Sequence, residues 1–155
     1  MRYLFVIMLM CFALFRPAIA DSLIEPSAEY SPQVVIEIQL LGLQASAPED
    51  IRDGKGIEQV WLFAHPNNKR ITGPLPRFRT LFDSPSYAPL VNHITHQIDV
   101  VSLSEREASF VVMVQGQDGQ NYAYLWQLMK VSEGAEQDFW MTVSVSNPRT
   151  VGSSS

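Results

Sequence analysis

The sequence has very little cysteine, since its one cysteine, Cys11, lies close to the start of the chain. It falls inside a segment that we predict to be removed as a signal peptide. The remaining chain then forms no disulfide, even in a compartment where disulfides can form. It also contains no Asn-x-Ser/Thr acceptor, so N-glycosylation is not predicted. The stability of the fold must therefore come from packing.

The sequence also lacks the short motifs that mark common catalytic and nucleotide sites. It has no Gly-x-Ser-x-Gly elbow, no Walker loop and no HExxH pair. The three histidines, His65, His93 and His96, are too few and too scattered to predict a metal site without cysteine. We therefore predict neither a metal nor a cofactor.

Positive charge is scarce as well. The chain has 16 acidic and 11 basic residues and a net charge of −5. An acidic chain does not attract nucleic acid or an anionic membrane, so we expect neither as a partner. The apolar run at residues 4–15 is shorter than the roughly 20 residues that a membrane-spanning helix needs, so no stable anchor is expected once the signal is cleaved.

An export signal begins the sequence. Arg2 supplies the positive start, residues 4–15 form the apolar centre, and Ala18-Ile19-Ala20 matches a cleavage site between Ala20 and Asp21. We predict a periplasmic or secreted protein. The expected organisation is a signal peptide at 1–20, a flexible leader at 21–30, a single domain at 31–146 and a flexible tail at 147–155.

Helical patterns come first in the predicted domain. Ser31-Pro32 is a helix start signal. An apolar stripe follows it, at Val34, Val35, Ile38, Leu41 and Ala45. A strand stays an alternative there, because Ile36, Ile38 and Leu40 alternate with polar residues. Residues 56–64 predict a second helix that ends at His65-Pro66, and a third begins near Pro74 and Pro76. Its expected buried side is Phe78, Leu81 and Phe82.

Strand patterns follow at residues 96–103, 108–116, 120–131 and 139–145, with Asp118-Gly119 as a hairpin turn. This order predicts an α+β fold, with two or three N-terminal helices packed on a curved four-stranded antiparallel sheet. The central strands are apolar on both faces. One face should meet the helices, and the other should meet a cavity, a partner or a second copy of the chain.

Several short runs stand out between residues 63 and 142: FAHPNNKR at 63–70, TGP at 72–74, RF at 77–78, YAPL at 87–90, NH at 92–93, YLW at 124–126 and WMT at 140–142. Together they resemble a family of bacterial and photosynthetic proteins known only as a domain of unknown function. That family is similar to the nuclear-transport-factor-2-like, or cystatin-like, α+β cone. The resemblance implies this fold for about residues 34–146, with a pocket on the concave face, and implies no known activity. One departure is that residues 66–76 replace the strand expected between the second and third helices.

The segment 65–93 is the strongest candidate for a binding surface, because it is rich in proline, aromatic and basic residues. Arg70, Arg77 and Arg79 can recognise a carboxylate or phosphate bidentately. The alternative is that Arg70 and Arg77 pair with Glu37, Glu58 or Asp83 and fix the loop. The other candidate ligand groups are Tyr87, Asn92, His93, Tyr124 and Trp126.

His93, His96 and Asp99 are the candidates for general base chemistry, since a carboxylate can fix the tautomer of a histidine. On a strand, however, positions 93 and 96 point to opposite faces, and so do 96 and 99. The spacing therefore argues against a catalytic pair.

The sequence as a whole predicts a non-catalytic binding or interaction module, with an aromatic pocket or sheet face that takes a small molecule or a protein. Two alternatives stay open. One is a lyase or isomerase that uses a pocket histidine, and the other is a homodimer built through the sheet face.

Overall fold

The computed structural model describes residues 22–44 and 54–152. Helices come first: α1 (Pro32–Gln44), α2 (Lys55–Leu62), α3 (Pro66–Thr72) and α4 (Leu75–Arg79), then the 3-10 turns η1 (Thr80–Asp83) and η2 (Ala88–Leu90). Strands follow: β1 (Thr95–Leu103), β2 (Glu107–Gln115), β3 (Asn121–Lys130), β4 (Trp140–Val145) and β5 (Arg149–Val151). The predicted α+β class is confirmed. The signal peptide and its cleavage site lie outside the described residues.

The sheet is antiparallel and runs in the order β1-β2-β3-β4. The β2–β3 hairpin turns at the predicted Asp118-Gly119, where Gly119 has φ +76°. A fifth strand extends the predicted four, because Arg149–Val151 pairs with the start of β3 beside β4. Three residues of the expected flexible tail are thus part of the sheet.

The core lies between the helices and one face of the sheet. Its sheet side consists of alternate residues of β2 and β3: Phe110, Val112, Val114, Tyr124, Trp126 and Leu128, all at most 1% exposed. Helices α1 and α2 cover them with Val35, Ile36, Leu40, Leu43, Ile57 and Val60. Burying each large apolar side chain contributes about 1.5–3 kcal/mol, so this layer supplies the stability that disulfides do not.

Helix α1 forms where the start signal predicts it, with the Ser31 hydroxyl accepting from the backbone N–H of Val34 at 3.3 Å. Its buried face differs from the predicted stripe. Val34 and Leu41 are 41% and 47% exposed, whereas Ile36 and Leu40 are fully buried. The helix is apolar nearly all round, so periodicity alone does not determine which face meets the sheet.

Helix α3 is the element that the sequence patterns do not predict. His65-Pro66 ends α2 as expected, but it also begins α3, because the His65 Nδ1 accepts from the Asn67 N–H at 3.1 Å and Pro66 occupies the first turn. Among the described residues no strand lies between the helices, in keeping with the departure from the cone. No helix of the described ranges is both long and apolar enough to cross a membrane.

Candidate functional site

A cavity of about 230 Å³ opens where α3, α4 and the two 3-10 turns face β4. Its walls are mainly apolar and come from Val60, Ala64, Ile71, Phe78, Leu81, Phe82, Leu90, Val143 and Val145. Trp126 and Thr142 from the sheet and Gln39 from α1 also line it. The cavity therefore lies between the helical layer and the last long strand of the sheet.

The Thr142 hydroxyl organises the polar groups that line the cavity. It accepts from Trp126 Nε1 at 3.0 Å and donates to Gln39 Oε1 at 3.2 Å. Gln39 Nε2 lies 3.0 Å from both that hydroxyl and the Val35 carbonyl. All three side chains are almost fully buried. Because these groups satisfy one another, they form a fixed surface and do not require a polar ligand.

Strand β4 lies at the edge of the sheet, and hydrogen bonds cover its outer side at two places. The Thr142 N–H donates to the Phe63 carbonyl at 2.9 Å, and the His65 N–H donates to the Thr142 carbonyl at 2.8 Å. Further along, the Tyr87 hydroxyl donates to the Val145 carbonyl at 2.9 Å. The cavity opens between these contacts, beside Val143. A compact ligand group fits this opening better than an added β-strand, because the backbone of β4 is already hydrogen-bonded on both sides of the opening.

Aromatic rings form one wall of the cavity. The Phe78 and Phe82 rings pack edge to face with centroids 5.6 Å apart, and the Phe82 and Tyr87 rings follow at 6.3 Å. Such contacts stabilise ring positions by about 0.5–1.5 kcal/mol beyond area burial. Ile71 stands at the rim and is 76% exposed. The wall is thus fixed by packing, while the rim offers apolar surface to an incoming group.

None of the described residues that line the cavity is charged. The three predicted arginines lie elsewhere and do not converge. Arg70 is exposed and donates to Asn67 Oδ1. The stem of the exposed Arg77 crosses Gly73, where an added Cβ would come within 2.8 Å of Arg77 Cδ.

Arg79 forms the ion pair of this segment, with its Nη2 3.7 Å from the Glu58 carboxylate. Both side chains are more than one third exposed, so the pair contributes at most about 1 kcal/mol. Glu58 was one of the carboxylates expected to pair with Arg70 or Arg77. It pairs with Arg79 instead.

Of the other predicted ligand groups, Tyr87 and Trp126 line the cavity and Asn92 and Tyr124 have structural contacts. Tyr124 is fully buried and donates to the Ser86 carbonyl at 2.8 Å, and burial raises the pKa of its hydroxyl. Asn92 adopts φ +54° and its N–H donates to the Leu43 carbonyl at 2.9 Å. The side chain of Tyr124 and the backbone of Asn92 thus hold the segment in place.

His93 and His96 do contact each other, so the expectation that they point to opposite faces is wrong. His93 Nε2 lies 2.8 Å from His96 Nδ1. Strand alternation does not apply because β1 begins only at Thr95, after the turn at Asn92. Asp99 is apart from this pair and accepts from Gln97 on the exposed strand.

A carboxylate from α1 completes the histidine pair. His96 Nε2 lies 3.2 Å from both oxygens of Glu37, and His93 Nδ1 lies 2.8 Å from the Leu90 carbonyl. We call this chain of hydrogen bonds, Leu90–His93–His96–Glu37, the histidine relay. None of its three ionisable side chains lines the cavity.

The sequence patterns do not identify Gln39, Asn68 and Thr142, which all line the cavity. A weak signal exists for Gln39, which is a polar residue on a mostly apolar helix and four positions after the buried Val35. Asn68 donates to the Thr142 carbonyl at 3.2 Å from a helix that was not predicted. Within residues 22–44 and 54–152, no group of three His, Cys, Asp or Glu side chains is placed to hold a metal ion.

Comparison with family models, curated proteins and solved structures returns no match for the chain. The chain shares one feature with the predicted cone, which is the order of helices followed by an antiparallel sheet. Membership of the uncharacterised family therefore stays a prediction.

Proposed function

We propose that the chain is an exported, non-catalytic binding protein whose site is the cavity beside β4. Its ligand is a compact, neutral and largely apolar group, either a small molecule or a side chain of a partner protein. The observation that carries this proposal is the uncharged lining, whose buried polar groups already bond to one another. Export rests on the signal peptide that the sequence predicts.

The size of the cavity limits the ligand further. Apolar cavities of about 150 Å³ bind benzene, whereas sites for drug-sized ligands measure about 300–1,000 Å³. A volume of about 230 Å³ lies between the two. One or two fused rings, or a large apolar side chain, match it.

Indole is a suitable probe because it is neutral, planar and of this size. We expect titration with indole to shift the methyl resonances of Val60, Leu81 and Leu90 with saturation in the micromolar to millimolar range. Benzoate, which carries a charge into an uncharged lining, should bind at least about tenfold more weakly. Equal shifts with both compounds, or none with indole, would contradict the proposal.

Two threonine variants provide a matched control for that titration. Thr72 lines the cavity, whereas Thr80 is exposed on η1, and each hydroxyl donates to a carbonyl one turn earlier, at 2.9 and 2.8 Å. Thr72→Phe should fill the cavity mouth and weaken indole binding at least about tenfold, while Thr80→Phe should leave it unchanged. Equal effects of the two would place the indole elsewhere.

We infer that His93 is not the base of a lyase or isomerase. It is 2% exposed, and both of its ring nitrogens are engaged in the histidine relay. A general base must reach a substrate proton within about 3 Å, and this geometry leaves no such position.

A second candidate function is the formation of a homodimer. It would use the face of the sheet that points away from the helices, which we call the outer sheet face, and one observation favours it. Leu125 on β3 and Val151 on β5 are each 38% exposed on this face, with Val111 and Met113 half-buried beside them. Exposed apolar patches commonly mark association sites. Leu125→Lys should convert a dimer into a monomer in light scattering, while Gln127→Lys, two residues further on, should not. A monomeric wild-type chain would exclude this candidate.

A further inference from the structure

The histidine relay joins three separate elements of the fold. Glu37 lies on α1, His96 on β1, and His93 in the turn between η2 and β1. His93 is buried, and the side chain of His96 is 11% exposed. Its hydrogen bonds therefore tie α1 and η2 to the first strand, and they do so through imidazole rings, which donate or accept according to the protons they hold.

The partners at the two ends of the relay determine where its protons lie. The Leu90 carbonyl can only accept, so His93 Nδ1 carries a hydrogen. His96 Nε2 faces a carboxylate and carries a hydrogen as well. The bond between His93 Nε2 and His96 Nδ1 then needs one further hydrogen, on either of these two nitrogens. All of these hydrogen bonds form together when the two rings share one extra proton, and burial of His93, which lowers its pKa, favours that proton on His96.

Within residues 22–44 and 54–152, few other ionisable groups face the relay. Across the sheet from His96, Val114 on β2 separates it from Tyr122 on β3, and the Tyr122 hydroxyl donates to Asp118. Burial lowers the pKa of His93, with the bond to the Leu90 carbonyl acting in the opposite direction, and the nearby charges are those of His96 and Glu37. The charge balance of this region therefore rests mainly on the relay itself.

The relay is connected directly to the cavity. Leu90 lines the cavity with its side chain and accepts the His93 hydrogen bond with its carbonyl. On α1, Gln39 lines the cavity two residues after Glu37. Breaking the relay would remove a hydrogen-bonded connection of the first strand to η2 and to α1, which both contribute to the cavity.

We propose that the histidine relay is a proton-dependent clasp that keeps the cavity in its binding shape while the two rings share one extra proton, and releases it at both higher and lower pH. This regulation rests on the proposed binding function. Once the pair has lost that proton, one of its hydrogen bonds has no hydrogen. At low pH a protonated His93 would direct an N–H at the N–H of His96, and two positive rings would stand 5.0 Å apart.

Nitrogen-15 shifts of the imidazole rings test the clasp in the absence of any ligand. At pH 6 we expect one ring of the pair to be charged and the other neutral, with a hydrogen on His93 Nδ1. At pH 9 the extra proton should have left the pair and the Leu90 amide should have shifted. Two neutral rings or two charged rings at pH 6 would overturn the proposal.

Indole affinity as a function of pH tests the regulation. We expect binding at pH 6 to be at least about threefold tighter than at pH 4.5 or pH 9. His96→Gln should remove most of this dependence, because glutamine does not titrate. His65→Asn removes a buried histidine outside the relay. This variant should still bind indole more weakly at pH 9 than at pH 6.

The outcomes separate the two proposals. Indole affinity that does not change with pH would overturn the regulation and leave the binding function intact. Failure of indole to bind at any pH would overturn both. A His96→Gln variant that fails to fold leaves the wild-type nitrogen shifts and the wild-type pH profile as decisive tests.

Discussion

At the scale of single residues, Thr142 is the most connected position of the site. Its hydroxyl bonds to Gln39 and Trp126, its N–H to Phe63, and its carbonyl to His65 and Asn68. One residue of β4 thus holds α1, α3 and β3 around the cavity. Such a role follows from contacts that lie far apart in the sequence, since Gln39 and Thr142 are separated by 103 positions.

Thr142→Val tests this role because valine has the same shape but no hydroxyl. The Trp126 indole N–H would lose its acceptor and the Gln39 carbonyl oxygen would lose a donor, both in a buried region. We expect a loss of about 1–3 kcal/mol in the free energy of unfolding, measured by urea denaturation.

Thr150→Val is the matched control, since Thr150 is an exposed threonine on β5. It should change the free energy of unfolding by no more than about 0.5 kcal/mol. Similar values for the two variants would show that the Thr142 hydroxyl does not organise the site.

At the scale of elements, the strands could be predicted from the sequence and the helices only in part. Alternation in β2 and β3 identifies Phe110, Val112, Tyr124 and Trp126 as one face, and this face is buried. Helix α3 could not be predicted in the same way, because its seven residues carry no apolar stripe and none of them is buried. Its start depends on the buried His65 side chain, whereas the pattern His65-Pro66 indicates a helix end.

The histidine relay also escapes prediction at the scale of elements. Periodicity assigns faces within a strand, but His93 precedes β1 and its direction is set by the left-handed turn at Asn92. The partner Glu37 comes from α1, whose orientation the apolar pattern leaves open. Sequence patterns thus identify the right residue types and miss the contacts among them.

His65 makes the start of α3 sensitive to pH. Burial lowers the pKa of His65, with the charge of Glu136 opposing this effect and that of Arg70 adding to it. The imidazole binds a proton more readily in the unfolded chain, so its contribution to stability is present above about pH 6.5 and is lost as the pH falls below it. Protonation of Nδ1 would also remove the acceptor that caps the helix.

His65→Asn keeps a capping side chain and removes the titration. We expect the variant to lose less stability than the wild type between pH 7 and pH 5, measured by thermal unfolding across this range. An unchanged difference between the two proteins at all pH values would show that folding does not lower the pKa of His65.

At the scale of the whole molecule, the fold places two uncovered apolar regions on opposite sides of the sheet. One is the cavity between the helices and β4, and the other is the outer face around Leu125. The sequence predicts that both faces of the sheet are apolar, yet it does not indicate which face borders a cavity. That distinction depends on how α3 and Tyr87 cover the edge of β4.

A crystal structure of the chain grown with indole would show whether the cavity takes a compact neutral group. We expect the ring between Phe82 and Trp126, with Thr142 still bonded to Gln39. Indole bound on the outer sheet face, or a cavity in which the walls have collapsed onto one another, would contradict it.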